Sequence, residues 1–264
     1  DVTNPFKKFN VKSRYFALNF FTKDSSEMSA GNALRELASV GRDIRKIGWN
    51  KLPTNIEHAG LVICNTHAHL NQRAPKQAAK MAKFAKYMEL EVYYLLDPTV
   101  DEFIDVMRHF VTEVSEFLFI FLGATKISQL LVDESPDIKL EGGSADPELI
   151  FDLLNSKVPS SRICFLLDGV NNPSNWDPKK NGVTRDGVLV MAPYPDPSQA
   201  STEQFDSRQE SLFAIEINKV FKTDPEMTGK ELASLVSTEL KPFGMRVYVA
   251  SYPPEFASEL NFAI

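Results

Sequence analysis

Six short blocks of apolar side chains punctuate the chain, at residues 60–65, 91–96, 117–121, 163–167, 187–192 and 245–250. Each is shorter than an ordinary helix and rich in Val, Ile, Phe, Tyr and Leu, so each predicts a strand. The block at 117–121 has no polar position. An unbroken run of this kind suits a strand covered on both faces, whereas a half-exposed strand alternates apolar and polar positions. Between the blocks the apolar spacing changes to three and four residues. Helices are predicted over 75–88, with Pro75 acceptable at a first helical position, over 99–114 and over 147–156. Two more follow the fifth block, over 212–221 and 229–240. Strands that alternate with helices in this way predict an α/β fold, a six-stranded and mostly parallel sheet between layers of helices.

The first 57 residues follow a different pattern. Residues 15–21 suit a strand, and 29–49 carry Leu34, Leu37, Ile44 and Ile47 at helical spacing, with Ser29 as a candidate N-cap and Pro53 beyond the end. This part is expected to be an N-terminal extension, prodomain-like or covering the sheet, ahead of a main domain over 58–264. Residues 126–146 turn polar and contain Gly142-Gly143, which predicts a surface loop or a short hairpin. Residues 171–185 are rich in Asn, Pro and Lys and are expected to be mobile.

In open α/β sheets, ligands bind outside the carboxyl ends of the strands, so the residues that end the blocks are the candidates for chemistry. The third block ends in Leu122-Gly123-Ala124-Thr125 and the fourth in Asp168-Gly169-Val170-Asn171. From Ala59 to Pro254 the order of elements and these strand ends resemble the caspase and metacaspase clan of cysteine proteases. In that family one strand ends in Ser-Gly-His-Gly, with the general base, and the next in Asp-x-Cys-x-Ser-Gly, with the nucleophile. On that pattern Gly123 and Asp168 match, while Ala124 stands at the histidine position and Val170 at the cysteine position. The resemblance therefore implies a caspase-like three-layer sandwich without its catalytic dyad. A thiol protease needs a thiolate and a group to take its proton, and neither alanine nor valine supplies one.

Composition narrows the picture by exclusion. With 43% hydrophobic and 24% charged residues among 264, the chain reads as globular, and a net charge of -6 argues against a nucleic-acid partner. Lys76, Lys80, Lys83 and Lys86 recur at helical spacing and are expected to form a solvated helix face. Cys64 and Cys164 both lie inside apolar blocks, as buried free thiols do, and so small a count fits a reducing, cytoplasmic setting. No apolar stretch is long enough to span a membrane, and residues 1–10 have no signal-peptide core.

Other candidates carry weaker signals. His67 and His69 follow the first block and suggest a substitute base or a metal site, but zinc-type ligand spacing is missing. His58 and His109 have no evident counterpart. Asp97 and Asp168 both end strands, where paired carboxylates can hold Mg²⁺, yet no Asp-x-Asp motif and no phosphate-binding loop accompany them. In metacaspases the aspartate matching Asp168 helps to bind a basic side chain, so Asp168 is the candidate recognition residue, against the simpler role of a turn former. The last block, with Val247, Tyr248 and Val249, corresponds to the strand through which caspases pair, and is the candidate partner edge. These readings together predict a pseudoenzyme that needs no cofactor and no metal and acts by protein binding, for instance on an active relative or its substrates. The alternative is an active hydrolase built on Asp97 and Asp168 or on His67 and His69.

Overall fold

The computed structural model describes residues 29–65, 73–124, 136–170, 172–196 and 212–262. In chain order the elements are α1 (Ala30–Val40), β1 (Arg42–Asp43), α2 (Ile44–Ile47), β2 (Ile56–Asn65), α3 (Arg73–Tyr87), β3 (Glu91–Leu96), α4 (Val100–Glu113) and β4 (Val114–Ala124). Then follow β5 (Ile138–Leu140), β6 (Gly143–Ala145), α5 (Pro147–Asn155), β7 (Arg162–Asp168), β8 (Val188–Pro195), α6 (Leu212–Thr223), α7 (Gly229–Leu240), β9 (Met245–Tyr252) and α8 (Phe256–Glu259). All six apolar blocks are strands of one seven-stranded sheet, in the order β1-β3-β2-β4-β7-β8-β9. Neighbours run parallel except β9, which is antiparallel to β8.

Two cores explain why the blocks are unbroken. On one face Val62, Cys64, Phe119 and Phe121 pack with Leu37 of α1, Phe84 of α3, Ile217 of α6 and Val236 of α7. On the other, Leu61, Ile63, Leu118 and Ile120 pack with Phe103 and Phe110 of α4 and Phe151 of α5. Successive strand residues point to opposite faces, so a sheet covered twice leaves no position for a polar side chain. The helices begin where their sequences say they should. Thr99 and Glu102 form a capping box at α4, Thr228 and Glu231 form another at α7, and Asp146 caps α5 ahead of Pro147.

The seventh strand corrects the single helix expected over 29–49. A Cβ on Gly41 would sit 3.1 Å from Tyr94 Cδ1 and 3.2 Å from Val92 Cγ1, so the chain passes close over β3 there. It then pairs Arg42 with Tyr93 and Asp43 with Tyr94 before helix resumes. The predicted apolar face divides with it. Leu37 and Ile44 are buried in opposite cores, and Leu34 is exposed. The strand expected over 15–21 lies outside the described residues.

Three other expectations meet the structure. The polar stretch before α5 does contain a short hairpin, β5 with β6, and its turn residue Gly142 has φ +75. The mobile segment expected over 171–185 is corrected. Its Trp176 is fully buried against Phe151 and Phe165, and an apolar side chain of that size anchors the backbone around it. The lysine row is corrected in part, since Lys86 is exposed as expected. Lys83 forms an ion pair with Glu36 of α1 and keeps only 15% of its side chain exposed, because α3 runs between neighbouring helices rather than along open solvent. Burial lowers the Lys83 pKa, and the charge on Lys222 lowers it further. Among the described residues no helix is long and apolar enough to cross a membrane.

Candidate functional site

The parallel register brings three strand ends to one edge of the sheet. Asn65 of β2 lies beside Ala124 of β4, and Gly123 of β4 lies beside Asp168 of β7. Ala124 is one residue past Gly123 and Val170 two past Asp168, so the two positions belong to neighbouring strand ends on the carboxyl side. Gly169 between them has φ +95, a conformation that glycine adopts without strain. The Val170 side chain is 7% exposed and belongs to the apolar core that holds Trp176 and Val183.

The space beside Gly123 is taken. A Cβ there would lie 2.8 Å from Gln77 Oε1, 2.9 Å from Cys64 Sγ and 3.1 Å from Phe121 Cε1. Gln77 of α3 reaches across the strand end and donates from Nε2 to Asp168 Oδ2. The Cys64 thiol donates to the Ala74 carbonyl at 3.3 Å and points at Gln77 Oε1 at 4.0 Å. A helix side chain thus ties the end of β2 to the end of β7. The sequence held only a faint sign of Gln77, an amide facing a row of small residues, Ala74, Ala78 and Ala79.

The electrostatics of this edge work against a nucleophilic thiol. Cys64 is fully buried, and its pKa is pushed far up, first by burial and then by the negative charges of Asp97 and Asp168. Burial alone does the same to Cys164. Both thiols are therefore neutral at ordinary pH, and neutral thiols are poor nucleophiles.

The remaining candidates are dispersed. Asp97 follows β3 and Asp168 ends β7, with β2 and β4 between them, so three strand spacings of about 4.8 Å separate their backbones by roughly 14 Å. They do not form the paired-carboxylate site considered from the sequence. Asp97 has φ +48, its N–H donates to the Cys64 carbonyl at 2.9 Å, and Arg45 Nη2 donates to its carbonyl at 3.0 Å. Arg45 also grips the Leu96 carbonyl and pairs with Glu102 at 2.8 Å, so this guanidinium fastens the end of β3 to α4. His58 pairs with Glu116 at 3.0 Å near the start of β2, and His109 Nε2 lies 2.8 Å from the Pro53 carbonyl, both away from the carboxyl edge. His67 and His69 lie outside the described residues. No group of three or more His, Cys, Asp or Glu suited to a metal ion occurs among the described residues.

The candidate partner edge is the last strand of the sheet. The Val247 N–H donates to Ser237 Oγ of α7 at 2.8 Å, and the Tyr248 hydroxyl donates to Asp177 Oδ2 at 3.3 Å. Burial raises the Tyr248 pKa to about 12, with the Asp177 charge adding to the effect. Arg246 closes the far end through Asp196, at 2.6 Å.

No protein-family model matches the sequence, and no curated protein matches it. Solved structures do. Caspase-1 from Spodoptera frugiperda superposes with a TM-score of 0.53 at 10% identity, over 75% of this chain and 88% of that one. Protein GSU0716 from Geobacter sulfurreducens superposes with a TM-score of 0.54 at 10% identity, over 78% of this chain and 98% of that one. At such identities the likeness concerns architecture, and the architecture is caspase-like.

Proposed function

We propose that this chain is a caspase-like pseudoprotease that acts by binding protein, as a regulator or scaffold for an active relative or for its substrates. The observation that carries the reading is the pair of neighbouring strand ends. Gly123-Ala124 and Asp168-Gly169-Val170 stand where the family resemblance calls for a base and a nucleophile. A neutral, buried Cys64 supports the same reading, because the one thiol at that edge is poorly placed to substitute. No cofactor is needed for such a role. Asp168, held by Gln77, remains the acidic group that a basic side chain would meet.

The test is hydrolysis of fluorogenic peptides with Asp, Arg or Lys before the scissile bond, using the full chain at high concentration. No turnover is expected for any of them. Turnover that disappears in a Cys64→Ala variant would establish an active thiol enzyme and remove the proposal. Calorimetric titration with the uncleaved basic peptides then checks recognition, which Asp168→Ala should weaken.

A further inference from the structure

Along the outer side of β9 one half is closed by Ser237, while the other, from half-buried Val249 to Ser251 at 6% exposure, borders a groove. Because Val247 directs its N–H away from β8 to Ser237, the pleat turns the N–H and C=O groups of Val249 and Ser251 outward as well. Ser237 satisfies the first of these donors. The amides of Val249 and Ser251 receive no partner among the described residues. Beside them runs a groove of about 330 Å³, bounded by Tyr248 to Ser251 on its floor, by Lys230 of α7 and Ala257 and Ser258 of α8 on one wall, and by Asp177 and Lys179 on the other.

The charges of this groove favour one kind of occupant. Lys179 and Lys230 are exposed on opposite walls, and neither has an ion-pair partner among the described residues. Among the described residues Asp177 is the one carboxylate lining the groove, and it already accepts from the Tyr248 hydroxyl and from the backbone N–H groups of Lys179 and Lys180. A strand with outward donors and acceptors, flanked by two uncommitted ammonium groups, suits an extended segment that brings its own backbone and acidic side chains. A second copy of the chain suits it less well. Two-fold pairing puts the same patch on both sides, which would crowd both copies' Lys179 and Lys230 into one groove.

We propose that the half of β9 beside the groove takes an extended acidic segment of another protein as an added strand. The claim does not depend on the loss of the catalytic dyad, since an active enzyme would present the same edge. The experiment uses the full chain and a blocked pentapeptide alternating glutamate and valine, with a lysine–valine peptide as its counterpart. Binding is read by fluorescence anisotropy, and hydrogen exchange locates it at the amides of Val249 and Ser251. The acidic peptide should bind, weaken as salt rises and protect those two amides, whereas the basic one should not bind. Lys179→Glu combined with Lys230→Glu, both exposed and remote from the core, should cost the acidic peptide about tenfold or more in affinity. Val249→Pro, which removes one donor, should also weaken binding if the variant folds, but the charge reversals decide the matter without it. Absence of binding, equal binding of both peptides, indifference to the charge reversals or protection elsewhere would each overturn the proposal. So would protection of the two amides by self-association without peptide, which would assign the edge to a second copy.

Discussion

At the carboxyl ends of β4 and β7 the space beside the strands is filled by the protein's own side chains, whereas along the outer side of β9 it is left open. Gln77, Cys64 and Phe121 crowd Gly123 so closely that even a methyl group meets them, and Val170 is folded into the core. At β9 the backbone of Val249 and Ser251 faces a groove whose two lysines have no ion-pair partner among the described residues. Filling a strand end with an amide and a neutral thiol secures the fold there, while an unpaired sheet edge leaves backbone donors and acceptors without a strand beside them. The two regions should respond to substitution in opposite ways, the first through stability and the second through affinity.

The largest loss is expected behind the closed end. Trp176 is fully buried beside Phe151 and Phe165, in the core that also holds Val170, and Trp176→Ala should lower the unfolding free energy by about 4 kcal/mol. Urea denaturation measures it directly. Next comes Gly123→Ala, which overpacks the contact with Gln77 and Cys64. It should cost about 2 kcal/mol, and pairing it with Gln77→Ala should recover part of the loss by making room. A third effect is tied to pH. The folded Cys64 pKa is raised, so the thiol stays protonated in the native state while it ionises in the unfolded chain above about pH 8.5. Its contribution is complete below that value and is lost as pH rises. Wild type should therefore lose about 1 kcal/mol more than Cys64→Ala between pH 9 and 10. The smallest change belongs to the open edge. Lys230→Ala touches no packed group and should alter stability by no more than about 0.5 kcal/mol, even though it should weaken an acidic peptide.

Much of this architecture is legible in the chain because burial on both faces leaves a simple signature. The block at Phe117 to Phe121 has no polar position, and neither core offers one. Cap and turn residues such as Thr99, Asp146 and Gly142 act through local geometry and are readable for that reason. Contacts between distant segments are not. Arg42-Asp43 carries no strand pattern, and only its approach to Tyr93 and Tyr94 makes it one. The Asn- and Lys-rich run before β8 looks unconstrained until Trp176 is seen packed on Phe165. Gln77 leaves little trace in the sequence because its role comes from a residue 91 positions away, Asp168. At the candidate site the strand-end positions followed from the family resemblance, whereas the filling of the space around them depended on α3.

The central claim is that the thiol at the carboxyl edge is chemically silent, and its labelling rate tests that most directly. Native protein treated with iodoacetamide at pH 7.5 and followed by intact-mass spectrometry should gain no adduct at Cys64 or Cys164 until denaturant exposes both together. Rapid single labelling of native Cys64, accompanied by peptide cleavage that the label abolishes, would contradict the account.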